Sequence, residues 1–154
     1  MASHPSQPIL AVAGEDKSLC LFSLDHKANA PLVPPLHFKD ATLRSVCFAR
    51  AGEELLLGAR KPHFYAYHLQ TGQLTQFRGG GAQVGGGEAT TQHMFLSPGG
   101  GMLAMRGSSG YVHLGDTHTK HMHSAVKCEG PAAAGTFLSD KLLAVATQDK
   151  IFLY

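Results

Sequence analysis

Two stretches at opposite ends of the chain share one pattern. Residues 9–22 read ILAVAGEDKSLCLF, and residues 142–154 read LLAVATQDKIFLY. In each stretch an apolar run is followed by a short polar turn that contains an aspartate, Asp16 or Asp149, and then by a second apolar run. Apolar runs of this length on either side of a tight turn predict a β-hairpin. The repetition indicates that the chain is built from copies of one strand–turn–strand unit.

Two weaker copies occupy the middle of the chain, at residues 46–59 and 93–107. When the copies are aligned on the aromatic before the turn, Phe48 and Phe95 are 47 residues apart, and Phe95 and Phe137 are 42 apart. A period of about 40 to 50 residues, with several short strands per period, is typical of β-propeller blades. We therefore predict an all-β fold, a β-propeller. A β-sandwich with a chance internal similarity is the alternative.

The repeats divide the chain into a polar lead-in at residues 1–8 and a partial propeller at residues 9–154. The predicted blade pieces are residues 9–24, 36–77, 91–126 and 132–154, with a flexible glycine-rich loop at residues 79–90. Within the second piece, the unbroken run Leu55-Leu56-Leu57 predicts a strand that is buried on both faces.

The predicted pieces amount to about three and a half blades, whereas a closed propeller needs roughly four to eight. The end blades of an open arc would leave apolar strand edges unpaired. We therefore expect the chain to be a fragment of a longer protein. The alternative is that another chain supplies the missing blades.

Composition restricts the class of protein. The chain has 154 residues, of which 44% are hydrophobic and 16% charged, and this predicts a globular domain rather than disorder. A net charge of +2 is too small to indicate nucleic-acid binding by itself. Because no apolar run approaches the ~18 residues needed to span a bilayer, we expect no membrane partner. The three cysteines, Cys20, Cys47 and Cys128, are odd in number and far apart, which favours reduced thiols.

The usual sequence signatures of catalysis and nucleotide binding are missing. No Gly-Lys-Ser/Thr follows the glycine run of residues 79–87, and no serine lies in a Gly-x-Ser-x-Gly elbow. Asp16 and Asp149 fall in matching turns, where aspartate commonly caps local backbone N–H groups. We therefore predict a protein that is not an enzyme, with no cofactor and no small-molecule substrate.

One segment is rich in residues that can bind metals: His113, His118, His121, His123 and Cys128. Alternate residues of a strand share a face, so His121 and His123 could present two imidazoles to one zinc ion. No Cys-x-x-Cys or helical histidine pair reinforces the cluster, and the repeats place it on an outer, exposed strand. We expect surface histidines, and a zinc protein is the alternative.

The most basic short cluster is Arg60-Lys61-Pro62-His63. It lies between two predicted strands, and loops of this kind carry binding residues disproportionately often. Arg60, Lys61 and His63 are therefore our candidates for a contact with RNA or with an acidic protein. An ordinary solvated loop is the alternative.

The order of an aromatic, a Ser-Pro-Gly-type turn, an apolar strand and an Asp turn resembles WD-repeat propellers. The chain departs from the motif that names them, because it contains no tryptophan. The strand ends that correspond to the Trp-Asp pair are Phe22-Ser23, Tyr67-His68 and Leu114-Gly115.

A closer resemblance is to a family of propeller subunits of the small-subunit processome, and it extends over nearly the whole chain. It is carried by the order and spacing of Leu21–Asp25, Tyr65–Gly72 and Gly110–Leu114. This resemblance implies a non-catalytic scaffold in the nucleolus that supports 18S rRNA maturation. The implied partners are other propeller subunits and the pre-rRNA ribonucleoprotein, and direct RNA contact stays open. A generic WD-repeat adaptor, for example in a ubiquitin ligase, is the alternative.

Overall fold

The computed structural model describes residues 1–24, 29–79, 90–107 and 110–154. Within these ranges the chain forms four antiparallel sheets, so the predicted all-β fold is confirmed. The predicted loop at residues 79–90 lies outside the described residues except for Gly79 and Thr90. Among the described residues, no helix has the length and apolarity to cross a membrane.

The first two sheets contain strands β1 to β9. In the first, β1 to β4 pair in chain order and β5 also pairs with β3. Its strands are β1 (Ala2–Ser3), β2 (Ile9–Ala13), β3 (Ser18–Ser23), β4 (Ala30–Pro31) and β5 (Leu36–His37). The strands of the second sheet also pair in chain order. They are β6 (Leu43–Ala49), β7 (Glu54–Ala59), β8 (His63–His68) and β9 (Leu74–Arg78).

The third and fourth sheets repeat this meander. The third sheet contains β10 (His93–Leu96), β11 (Met102–Arg106), β12 (Tyr111–Asp116) and β13 (Met122–Lys127). The fourth sheet contains β14 (Ala134–Ser139), β15 (Leu142–Ala146) and β16 (Ile151–Leu153). The first and last hairpins predicted from the sequence repeats are present, as β2 with β3 and β15 with β16.

The hydrophobic core consists of three clusters, one between each pair of consecutive sheets. Leu55 and Leu57 pack towards the first sheet and Leu56 towards the third, and all three side chains are fully buried. This alternation arises because successive side chains of a strand point to opposite faces. The prediction of a strand buried on both faces is confirmed. The sheets therefore stack face to face in chain order, like blades of a WD-repeat propeller, and the described residues do not close a ring.

The first sheet begins earlier than the sequence pattern indicated. Residues 1–8 were expected to form a lead-in, but Ala2 and Ser3 pair with Ala11 and Leu10 as β1. The His4 ring packs edge-on against Phe48, with 5.0 Å between ring centroids. Its Nδ1 accepts hydrogen bonds from the backbone N–H groups of the two residues that follow Pro5. His4 thus fastens the N-terminal segment to the second sheet.

The third Trp-Asp position lies one residue later than the sequence alignment placed it. The N–H of Gly72 donates to the carbonyl of His68 at 2.9 Å, and the N–H of Lys120 donates to the carbonyl of Asp116 at the same distance. Both turns also place their fourth residue at positive φ, 68° for Gly72 and 59° for Lys120. Asp116 is therefore the equivalent of His68, and the third pair is Gly115-Asp116. The alignment was wrong here because the repeat has no tryptophan to anchor it.

The side chain of Asp116 caps the turn between β12 and β13. Its carboxylate accepts the backbone N–H groups of His118 and Thr119 at 2.9 and 2.7 Å. These hydrogen bonds, first of all the one from Thr119, lower the pKa of Asp116. Asp116 thus stabilises this turn through its side chain.

Candidate functional site: an arginine pocket between the second and third sheets

The predicted basic cluster forms the turn between β7 and β8. Arg60 is exposed, while Lys61 and His63 are half-buried. The Arg60 N–H donates to the carbonyl of Thr42 at 3.0 Å, and the Gly79 N–H donates to the carbonyl of Pro62 at 2.9 Å. The turn is therefore held to its neighbours at both ends.

His63 contributes less positive charge than its place in the cluster suggested. Its Nε2 lies 2.9 Å from the Tyr65 hydroxyl, within hydrogen-bond distance. Burial lowers the pKa of His63, and the neighbouring charge of Lys61 lowers it further. The imidazole is therefore neutral at pH 7, and the cationic groups of this turn are Arg60 and Lys61.

Arg60 also lines a cavity of about 450 Å³ that the sequence pattern did not reveal. Its other lining residues are Arg44, Thr90, Thr91, Gln92 and Arg106. We call this cavity the arginine pocket. The three arginines come from separate elements: one lies in β6, one follows β7 and one ends β11. The start of β6 and the ends of β7 and β11 meet at the same edge of the stacked sheets, so the three arginines line one pocket.

Backbone hydrogen bonds across the two sheets hold the walls of the pocket. The Thr91 N–H donates to the carbonyl of Ala59 at 3.1 Å, and the Gln92 N–H donates to the carbonyl of Arg106 at 2.9 Å. The segment before β10 is thereby tied to β7 of the second sheet and to β11 of the third. The pocket is therefore a formed feature of the fold rather than a gap between independent loops.

Two of the three arginines also join adjacent sheets. The Arg44 Nη1 lies 2.5 Å from the Glu15 carboxylate, in the turn between β2 and β3. The Arg106 Nη1 donates to the carbonyl of Ala132, which precedes β14. Burial lowers the pKa of Arg106, and its Nε is buried with no hydrogen-bond partner among the described residues. A pocket of this kind is suited to binding an anion.

The histidine segment is not assembled into a metal site in the described part of the chain. His113 is buried in β12, whereas His121 and His123 are exposed on either side of the buried Met122. The Cys128 sulfur lies 3.9 Å from the Tyr154 hydroxyl. No group of three or more His, Cys, Asp or Glu side chains is placed to hold a metal ion among residues 1–24, 29–79, 90–107 and 110–154. The structure therefore gives no support to the zinc alternative.

Comparison with known proteins gives a consistent result. No family model matches the chain. The human U3 small nucleolar RNA-associated protein 18 homolog is 32% identical over 157 residues, which covers 98% of this chain and 27% of the human protein. The chain is related to U3 small nucleolar RNA-associated protein 18. The family resemblance predicted from the sequence is thereby confirmed.

Two further relatives carry the same name. The mouse U3 small nucleolar RNA-associated protein 18 homolog is 32% identical over 139 residues, covering 89% of this chain and 24% of the mouse protein. The Schizosaccharomyces pombe probable U3 small nucleolar RNA-associated protein 18 is 28% identical over 143 residues, covering 91% of this chain and 27% of the yeast protein. The chain thus spans about a quarter of the length of these curated relatives.

Proposed function

We propose that this chain is a non-catalytic scaffold in a nucleolar pre-ribosomal ribonucleoprotein, where it supports maturation of the 18S rRNA through protein–protein contacts. The observation that carries the proposal is the similarity, over 98% of the chain, to a protein named for its association with U3 small nucleolar RNA. The relatives extend well beyond the matched region, so their whole-protein roles enter here as part of the proposal.

The described residues are arranged in a way that suits a scaffold. Four sheets stack through three buried clusters, which gives a rigid frame with turns at both ends of the strands. Such turns are where β-rich scaffolds carry their binding residues. The described residues that line the arginine pocket are arginine, threonine and glutamine, whose side chains are suited to binding and orienting a partner.

The partners we propose are other propeller subunits and the pre-rRNA ribonucleoprotein. Arg60 and Lys61 supply the charge for one of these contacts, and the half-buried His63 positions the turn through its contact with Tyr65. Replacing both cations, Arg60→Gln with Lys61→Gln, should weaken recovery of the complex. Replacing the exposed Arg50, in the turn after β6, by glutamine is the control, because it removes a positive charge at the other end of the sheet.

Affinity purification from native cells tests the proposed function. The tagged protein is recovered, its partners are identified by mass spectrometry, and its bound RNA is sequenced. We expect U3 small nucleolar RNA, pre-rRNA and propeller subunits to be enriched, and a fluorescent fusion to concentrate in the nucleolus. Enrichment of an unrelated complex without rRNA precursors would instead support the second candidate, a WD-repeat adaptor outside ribosome assembly, which the stacked sheets fit equally well.

A further inference from the structure

We propose that the arginine pocket binds an acidic segment of a partner protein, with Arg44, Arg60 and Arg106 holding the carboxylates of that segment. The proposal extends the scaffold role, on which it rests for the existence of a protein partner. It names the chemistry of one contact and the residues that make it.

The first argument is the imbalance of charge around the cavity. Three of the six described residues that line this cavity of about 450 Å³ are arginines, and none of those six is acidic. A ligand that brings carboxylates to these arginines gains charge-assisted hydrogen bonds, whereas a neutral or cationic ligand does not.

The second argument is that a carboxylate is already present at the edge of the pocket. Glu15 reaches Arg44 from the first sheet at 2.5 Å, although its side chain is 70% exposed. The geometry at Arg44 therefore accepts a carboxylate. Since an exposed ion pair is worth only about 0–1 kcal/mol, Glu15 can give way to a better-placed acidic side chain.

The third argument comes from Arg106. Its Nη1 is used by the carbonyl of Ala132, and its Nε has no acceptor among the described residues. The edge formed by Nε and Nη2 is one that binds carboxylates with two parallel hydrogen bonds. A carboxylate of the ligand would supply the missing acceptor, and this is favourable because a buried donor without a partner is costly.

The neutral lining residues suit a peptide ligand. Thr90, Thr91 and Gln92 offer hydroxyl and amide groups that bind the backbone of an extended segment. Because the backbone of Thr91 and Gln92 is tied to both neighbouring sheets, little ordering is needed when a ligand arrives.

A protein segment fits these observations better than RNA does. Proteins that bind RNA usually combine a basic stripe with aromatic side chains on which bases stack. The described residues that line the pocket include no aromatic, and the net charge of the whole chain is only +2. Three arginines at one pocket suit a few closely spaced carboxylates of a peptide. They suit the long, regularly charged backbone of an RNA less well.

The test measures binding by surface plasmon resonance, with the chain tethered at low density. The probe is a short peptide in which Asp and Glu alternate with Ser and Gly. The comparison ligands are the same peptide with Asn and Gln in place of the acids, and a short oligouridine. We expect the acidic peptide to bind, the amide peptide not to bind, and oligouridine to bind more weakly than the acidic peptide.

Three variants make the test specific. Arg60→Gln should weaken peptide binding by on the order of tenfold, because it removes a charge-assisted contact from an exposed side chain without disturbing the core. Glu15→Gln should strengthen binding about threefold, because it removes the carboxylate that competes for Arg44. Arg50→Gln is the control: this exposed arginine lies in the turn after β6, at the other end of the sheet, and should bind like the unmodified chain.

Tighter binding of oligouridine than of the acidic peptide would overturn the proposal in favour of a nucleic-acid site. Absence of peptide binding, or equal affinity in the folded Arg60→Gln variant and the unmodified chain, would overturn it as well. The two proposals fail separately. Loss of peptide binding with intact recovery of U3 small nucleolar RNA would reject only the pocket assignment, and peptide binding without U3 recovery would reject only the processome role.

Discussion

Lys120 and Glu54 form a buried ion pair that joins the second and third sheets. The Lys120 Nζ lies 2.5 Å from the Glu54 carboxylate, and the two side chains are 3% and 10% exposed. Lys120 also donates to the carbonyl of Thr117. Removing one partner of such a pair leaves the other charge buried without compensation, which is far more costly than losing a surface contact.

We expect Lys120→Met to lower the free energy of unfolding by about 3–5 kcal/mol. The matched control is Lys150→Met, because Lys150 pairs with Glu129 at 2.9 Å while both side chains are largely exposed. This control should lose only about 0–1 kcal/mol. Urea unfolding of both variants measures the difference, and equal losses would contradict a structural role for the buried pair.

His93 should make the folded state sensitive to mild acid. The His93 ring is exposed at the sheet edge, but desolvation by its neighbours lowers its pKa, and the positive charge of Arg106 lowers it further. In the unfolded chain His93 takes up a proton near pH 6.5, whereas in the folded chain it does so only at a lower pH. Between these two pKa values the unfolded chain therefore binds more protons than the folded chain. The stability contributed by neutral His93 is therefore present above about pH 6.5 and is lost as the pH falls.

The variant His93→Gln should show a smaller loss of stability between about pH 7 and pH 5 than the unmodified chain does. His123→Gln, which changes an exposed histidine of β13, serves as the control and should keep the original dependence. Urea midpoints at the two pH values give the comparison. If His93→Gln and the unmodified chain lose stability to the same extent, another group is responsible.

At the scale of elements, the turn between β6 and β7 is unusual because three successive residues have positive φ. Arg50, Ala51 and Gly52 have φ values of 51°, 54° and 101°. A Cβ on Gly52 would lie only 2.0 Å from Nε2 of His4. This turn therefore depends on glycine both for its backbone conformation and for the docking of the N-terminal segment.

Gly52→Ala should destabilise the chain by about 1–3 kcal/mol, because it combines backbone strain with a clash against the His4 ring. Gly101→Ala is a suitable control, since no atom lies within 4 Å of its Cβ position and its φ is outside the left-handed region. The control should stay within about 0.5 kcal/mol of the unmodified chain. Thermal unfolding followed by circular dichroism compares the two, and a neutral Gly52→Ala would show that the His4 contact is dispensable.

The two hairpins that opened the sequence analysis differ in their turns. In the first, Gly14 donates to the carbonyl of Ser18, and Asp16 accepts from the Ser18 N–H and hydroxyl. In the last, Thr147 donates to the carbonyl of Lys150, so this turn is one residue shorter. Lys150 is followed directly by Ile151, and the serine that bonds Asp16 has no counterpart. Two hairpins with nearly identical strands are therefore closed by turns of different length.

At the scale of the whole molecule, the fourth sheet has one packed face and one bare face. Leu143 and Val145 are buried against the third sheet. Ile151 and Leu153 lie opposite Ala146 and Ala144 on the other face, and their side chains are 73% and 61% exposed. Contiguous apolar surface of this kind favours association.

We expect residues 1–154 alone to self-associate through this face. Ile151→Lys combined with Leu153→Lys should shift the chain towards monomer in sedimentation velocity, because the two charges oppose burial of the face. Leu74→Lys, on β9 of the second sheet, changes an exposed leucine elsewhere and should leave the association unchanged. A cooperative melt of the unmodified chain as a monomer would contradict this prediction.

Local pattern was sufficient for the all-β class and for the first and last hairpins, but it missed β1, whose two residues have no apolar pattern of their own. The run Leu55-Leu56-Leu57 predicts burial on both faces because side chains alternate along any strand, whatever lies beside it. The repeat period then indicates stacked sheets, since one sheet cannot bury its apolar faces alone. Order and spacing along the chain also carried the family resemblance, although the missing tryptophan left the third Trp-Asp position one residue out of place.

The arginine pocket and the Lys120–Glu54 pair were decided only by the tertiary structure. Arg44, Arg60 and Arg106 belong to three elements of two sheets, and nothing in their sequence neighbourhoods indicates that they meet. Likewise, Lys120 and Glu54 are 66 residues apart, and only the packing of the third sheet on the second brings them to 2.5 Å. Periodicity reports which face of a strand is buried, but the approach of two side chains across sheets depends on how those sheets stack.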